Sequence, residues 1–293
     1  MKSIIWFRND LRIDDNPAMK AACDNSTEVH AIFLYSQEQL EKHNEANVKL
    51  DFLIENLKQL SDILEKLNIL LSIIDSKGFD EDHEIILKTI KERGIGKVFF
   101  NKQFGEDEQK RDVEVTTILN TSNVKVESFN DQIVYEPGSI RTGQDNPYSV
   151  FTPFKRKWVE NFDMEFLDIE HKYTPMVQGN ISSNISSFNF DFKKEHKVDM
   201  SMWPAGEQAA LDRLQNFLEN KASNYSKNRN DPILDGTSRM SPYLALGVIS
   251  SKRCILEGLK LNNFEFNSGN NGITKWIDEI VWREFYRNIM FSF

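Results

Sequence analysis

Five short apolar runs, each separated from the next by a stretch of helical periodicity, occupy the first 130 residues and restrict the fold more than any other feature. Ser3 to Phe7, Val29 to Tyr35, Leu70 to Ile74, Lys97 to Phe100 and Val124 to Phe129 read as strands rich in Ile, Val and Phe. Between them, Ala18 to Cys23, the stripe Leu50, Leu53, Ile54, Leu57, Leu60, Leu64 and Leu67, then Ile85 to Ile90 and Val113 to Leu119 read as helices. Asn16 before Pro17 has the form of an N-cap followed by proline at the first helical position. Near-continuous apolar strands alternating with helices are buried on both faces, so the expected class is α/β, with a doubly wound, parallel, five-stranded sheet over residues 1–130. Such sheets bind ligands at the carboxyl ends of their strands. The first strand runs into Arg8-Asn-Asp10 and lacks Gly-x-Gly-x-x-Gly, while Gly94-Ile-Gly96 precedes a strand, so a dehydrogenase is not expected. Arg8, Asp10 and Arg12 are expected to pair with one another. Asp107 and Glu108, after the fourth strand, either line a polar cleft or begin a solvated helix whose positive end favours acids.

From Asp131 the pattern breaks. Pro137-Gly138, Gly143 and Asn146-Pro147 mark turns, and Val150-Phe-Thr-Pro-Phe-Lys-Arg-Lys-Trp158 reads as an extended entry to a basic, aromatic helix. Thr174 to Asp199 reads as a surface strap pinned by Phe188, Phe190 and Phe192, which makes residues 131–200 a long connector. After Trp203-Pro204 the chain turns helical, with Ala209, Ala210, Leu211, Leu214, Phe217 and Leu218 in one stripe, so residues 201–293 are expected to be all-helical.

Two stretches of this helical part carry chemistry. In Gly236-Thr237-Ser238-Arg239-Met240-Ser241-Pro242, three hydroxyls and an arginine precede a helix start, a combination that suits a phosphate group; the alternative is that the hydroxyls only cap the helix. In the closing helix, Trp276, Glu279, Arg283 and Tyr286 lie near one face, with Trp282 beside Glu279. An indole, a carboxylate and a cation suit a flat heteroaromatic ligand. The same spacing also makes Glu279 and Arg283 an i, i+4 ion pair and Trp276 a core filler, and the sequence leaves both open.

Cys23 and Cys254 are far apart with no plausible ligands nearby, so neither a disulfide framework nor a metal site is expected. No acid, base or nucleophile constellation is recognisable. The net charge of -9 opposes a phosphate-coated surface and leaves room for a local basic groove at Lys155-Arg156-Lys157 or at Lys227 to Arg229. No stretch reaches membrane-spanning length and charge follows closely on the N-terminus, so no membrane association and a cytoplasmic location are expected.

Trp6-Phe-Arg-Asn-Asp-Leu-Arg12 with Asp15-Asn16, Val150 to Lys155, Tyr225 to Arg229, Gly236 to Ser241 and Trp282 to Arg287 together resemble the photolyase/cryptochrome family. The resemblance is closest to the class I bacterial photolyases for cyclobutane pyrimidine dimers, and its motifs span the chain in family order. It implies an N-terminal antenna domain, an interdomain connection and a helical domain that holds FAD. It also implies that Tyr225, Thr237, Ser238, Arg239, Met240, Ser241 and Trp276 contact FAD, and that Arg229, Glu279, Trp282, Arg283 and Tyr286 contact damaged DNA. Glu108 with Asp107 matches the region that binds a methenyltetrahydrofolate antenna, although Asp107 stands where an asparagine is common. The implied reaction is light-driven opening of the dimer by electron transfer from reduced FAD, by a monomer. A cryptochrome-like photoreceptor and an inert fragment are the alternatives. Family members extend past the position of Phe293, so the remaining flavin pocket is expected beyond this chain, with weak FAD binding or none without it.

Overall fold

The computed structural model describes residues 1–177, 183–190 and 197–292, and the chain divides into two compact units. The first comprises Met1–Asp131 and His171–Glu207, the second Gln132–Glu170 and Gln208–Phe293. The expected single connector is therefore shared: its first half belongs to the helical unit, and its second half returns to the α/β unit.

In the α/β unit the strands are β1 (Lys2–Phe7), β2 (Glu28–Tyr35), β3 (Leu70–Asp75), β4 (Lys97–Asn101) and β5 (Lys125–Phe129). They form one parallel sheet in the order β3-β2-β1-β4-β5, with Trp6 opposite Ile32 on one side and Phe100 on the other. Helices α1 (Pro17–Asn25), α2 (Gln37–Lys42), α3 (Asn47–Lys66), α4 (Asp82–Arg93) and α5 (Glu106–Thr121) make the connections. Successive strand residues point to opposite faces. Ile4 and Trp6 accordingly join Ile86, Ile90, Val115 and Leu119 of α4 and α5 in one apolar cluster, leaving Ile5 and Phe7 for the other side. The strand order reverses between β1 and β4, and there the carboxyl ends of the two strands open a crevice.

Buried polar groups fix this end. The Asn16 side chain accepts from the Met19 amide, as an N-cap should, and its amide nitrogen donates to the carbonyls of Asp10 and Arg12. Arg8, Asp10 and Arg12 do not pair mainly among themselves, contrary to the sequence expectation. Arg8 donates to Asp112 at 3.1 Å and to the Asn101 carbonyl, Arg12 forms a buried pair with Asp131, and Asp10 accepts from the Arg8 amide and from Asn101. Each charge finds its partner on a distant segment because burial leaves no water to substitute for one.

The returning segment closes the edge of the sheet. The Asn184 carboxamide accepts from the Ile73 amide at 2.7 Å and donates to the Ile73 carbonyl at 2.8 Å, so one side chain does for β3 what a neighbouring strand would do. Phe188 and Phe190 pack edge-on against Tyr35, while Phe192 lies outside the described residues.

The helical unit contains α6 (Phe151–Glu160), α7 (Glu207–Asn220, whose first residue falls in the α/β unit), α8 (Tyr225–Asn228), α9 (Ser241–Ala245), α10 (Ser251–Leu261) and α11 (Asn271–Ser292). Helix α6 begins directly at Phe151 instead of after an extended entry, with Val150 as its cap. Phe154, Trp158, Phe217, Tyr243, Cys254, Trp276 and Phe285 are buried in this unit. The buried Glu284 carboxylate accepts from the amides of Val134 and Tyr135 at 2.9 and 3.1 Å, which ties α11 to the chain at the start of this unit. No helix among the described residues is long and apolar enough to cross a membrane.

Candidate functional site

Helix α11 positions the first site. Its start runs so close to the preceding chain that a Cβ on Gly272 would stand 2.2 Å from the Ala222 carbonyl oxygen, so only glycine allows the approach. Farther along, α11 forms one wall of a groove of about 590 Å³ with Lys275, Asp278, Glu279 and Trp282. Phe151, Thr152 and Lys155 at the start of α6 line it as well, together with Ser226, Arg229 and Asn230. The Phe151 ring stacks on the Trp282 indole with centroids 3.8 Å apart and planes within 11°. Lys155 and Lys275 both reach Asp278, at 2.5 and 3.3 Å. Glu279 pairs with Arg229, and each side chain is about one-third exposed.

Three sequence expectations are revised here. Glu279 pairs with Arg229 across the groove, a partner that the helix spacing did not indicate. The Arg283 guanidinium, expected to face DNA, donates instead to the backbone carbonyls of Gln132 and Leu244. Trp276, expected to stack on a ligand, is 1 % exposed and tilted against Phe217 at 5.2 Å, so it presents no open face. A Cβ on Gly258 would lie 3.1 Å from its ring, which shows how tightly α10 packs there. Tyr286 is 58 % exposed and stacks obliquely on Trp282 at 5.5 Å.

The hydroxyl loop is held from its flanks. Asp235 pairs with Lys221 at 2.6 Å and Arg239 at 2.9 Å, and Arg239 adopts a left-handed φ of 53°. Gly236 packs against Asn228, where a Cβ would come within 2.6 Å. No side chain caps α9, so the hydroxyls of Thr237, Ser238 and Ser241 are not spent on its first turn. The capping alternative is therefore not what the fold adopts, and three donors remain for a phosphate-bearing group. Met240 within this loop and Tyr225 upstream of it are both buried, Tyr225 edge-on to Phe217. These residues fit the phosphate portion of a dinucleotide, whereas Trp276 offers no surface to its flat ring. The groove on α11 is lined by neither Ser238 nor Trp276.

A second cavity, of about 190 Å³, lies in the α/β unit where the strand order predicts one. Arg8, Gln103, Glu108 and Arg111 give it a polar side, and Phe33, Tyr35, Leu40 and Phe79 an apolar one. Arg111 donates to Gln103 at 2.8 Å and lies over the Trp6 and Phe79 rings. Burial beside Arg111 pushes the Asp82 carboxyl up to about 6 despite that cation. Burial likewise pulls the Arg8 guanidinium below its usual value although Asp112 opposes this. Glu108 reaches this cavity; Asp107 lines the adjoining surface cleft, 4.0 Å from Lys42. Sequence reasoning missed Arg8, Gln103 and Arg111 as lining residues. The available signal was Arg111, one helical turn after Asp107, facing a residue at the carboxyl end of β1.

Comparison with known proteins gives a consistent set of matches. The sequence model described as DNA photolyase matches residues 3–175. A deoxyribodipyrimidine photo-lyase of Buchnera aphidicola is 32% identical over 100% of this chain and 60% of its own length. That of Escherichia coli is 31% identical over 98% of this chain and 60% of its own. A bacterial class III photolyase from Agrobacterium tumefaciens superimposes with a TM-score of 0.82 at 27% identity, covering 100% of this chain and 59% of that one. The chain thus spans about 60% of the length of the curated relatives it matches.

Proposed function

We propose that this chain, which belongs to the DNA photolyase family, supplies the lesion-reading groove and part of the flavin site of an enzyme that repairs cyclobutane pyrimidine dimers in DNA with light. The observation that carries this reading is the α11 groove, in which a stacked pair of aromatic rings, a carboxylate and three cations surround one space. Each group has a task that follows from its chemistry. Trp282, stiffened by Phe151, offers a flat apolar face to a pyrimidine ring. Glu279 is an acceptor only, so it suits the N–H edge of a pyrimidine. Arg229, Lys155 and Lys275 suit the phosphates that flank it. Tyr286 extends the aromatic surface, and Arg283 contributes by holding α11 in place.

FAD would be held at its pyrophosphate by Thr237, Ser238, Ser241 and Arg239, with Tyr225 and Met240 alongside and Trp276 supporting from the core. When bound in reduced form it supplies the electron on photoexcitation. The chain's own residues bind and orient. A methenyltetrahydrofolate antenna would sit in the α/β unit at Glu108, where the arginines and Gln103 offer hydrogen-bond donors to its carboxylates and carbonyls.

The test is binding in the dark. The chain is expected to prefer a single-stranded oligonucleotide carrying one thymine dimer over the undamaged oligonucleotide, and Trp282→Ala is expected to reduce that preference about tenfold. Illumination with reduced FAD and chromatographic assay of the remaining dimer then tests the repair step. Equal affinity for damaged and undamaged strands would overturn the lesion-reading assignment.

A further inference from the structure

The groove holds its reading carboxylate on a cation. One of the two Glu279 oxygens accepts from the Arg229 guanidinium, and Arg229 in turn lies over the Tyr225 ring at 5.5 Å. The two side chains are 33 % and 35 % exposed, so the pair is neither locked in the interior nor free in solvent. An ion pair at that depth is weak and exchangeable. A phosphate diester, which accepts from a guanidinium with two oxygens at once, competes well for the same arginine.

We propose that Arg229 sets lesion specificity by ion-pair exchange: in the free protein it occupies Glu279, and an incoming backbone phosphate draws it away and exposes the carboxylate. The inference rests on the reading of this groove as the DNA site and adds an order of events to it. A strand that places a phosphate at Arg229 releases the engaged oxygen, so that both Glu279 oxygens can then accept from a base. Undamaged DNA gains less from the exchange, because its mobile bases are not held with an N–H edge at Glu279 while the phosphate occupies Arg229. Lys155 and Lys275 share Asp278, so a phosphate that they hold adds to the binding without releasing Glu279.

A consequence separates this exchange from two independent contacts. Removing the carboxylate frees Arg229, so Glu279→Gln should bind undamaged single strands more tightly, by about two- to fivefold, the range expected for releasing one exposed pair. The same variant should lose most of its preference for the dimer. In an Arg229→Gln background the gain on adding Glu279→Gln should vanish, because no arginine remains to be freed. Arg229→Lys should restore part of it.

The measurement is anisotropy of a fluorescein-labelled oligothymidylate, with and without one cyclobutane dimer, against the full chain and these variants in the dark, with thermal melts confirming that each is folded. The expected result is a gain for Glu279→Gln alone and none in the double variant. An equal gain in both backgrounds would show simple loss of negative charge and would overturn the exchange. A decrease for Arg229→Gln with no gain for Glu279→Gln would also overturn it, while leaving the groove as the DNA site. If no variant changes binding, the assignment of the groove itself fails, and the exchange with it.

Discussion

Glu284 shows how a single buried carboxylate governs a helical unit. It accepts two backbone amides from Val134 and Tyr135, yet burial outweighs those bonds and pushes its carboxyl up to about 7. The folded state therefore keeps a proton that the unfolded chain releases near its ordinary value of 4.5. The sign follows: stability from this group is highest below that value, falls as pH rises toward 7, and is constant above it. Urea unfolding between about pH 5 and 8 should show a decline on the order of 3 kcal/mol, from the cost of each unit of displacement. Glu284→Gln should flatten that slope while losing about 1 kcal/mol at low pH, because an amide offers one acceptor oxygen where the carboxyl group offers two. At this scale the sequence was legible in type more than in role. Spacing correctly set Trp276, Glu279 and Trp282 on one helix, but the partners that decide their roles, Phe217, Arg229 and Phe151, come from remote segments. The capping alternative for Thr237, Ser238 and Ser241 could be decided only once the donors of α9 were accounted for.

Among the elements, β1 to β5 and the long apolar stripe of α3 were readable because burial on both faces, or on one stripe, leaves a periodic trace in composition. The Asn184 clasp on β3 was not, since a carboxamide that completes a ladder has no periodicity. Helix α11 depends in the same unreadable way on Gly272, whose backbone lies against the carbonyls of Ala222 and Ser223. Gly272→Ala places a methyl group against fixed backbone, so the helix start must shift; a loss of about 1–3 kcal/mol is expected from overpacking of this kind. Because α11 also carries Glu279 and Trp282, the same variant should weaken dimer preference, whereas a stability loss confined to the core would leave that preference intact. Thermal melts and dark binding on one preparation distinguish the two.

For the molecule as a whole, a net charge of -9 and the proposed binding of DNA in the α11 groove are compatible only if the basic contacts are few and local. Arg229, Lys155 and Lys275 are the cations at the groove, and the two lysines share Asp278. The affinity for single strands should therefore fall gently with salt, with a logarithmic slope of about -2, as expected for two to three neutralised phosphates. A slope steeper than about -5, measured by titration at several salt concentrations, would place the main contact surface elsewhere. Composition made the overall acidity evident but not this local balance. The division into two units was only partly readable as well: the sequence marks where strands stop, yet nothing in composition assigns the turns after Asp131 and the strap before Glu207 to different units.

That division bears on how the protein is made. The α/β unit takes its first stretch from Met1–Asp131 and its last from His171–Glu207, with Gln132–Glu170 intervening. A ribosome therefore delivers all five strands well before it delivers Asn184, and throughout that interval the open flank of β3 is exposed to the crowded cytosol of whatever cell translates it. Pauses in translation between these two stretches would prolong that interval, so codon choice and chaperone supply there act directly on the yield of usable protein.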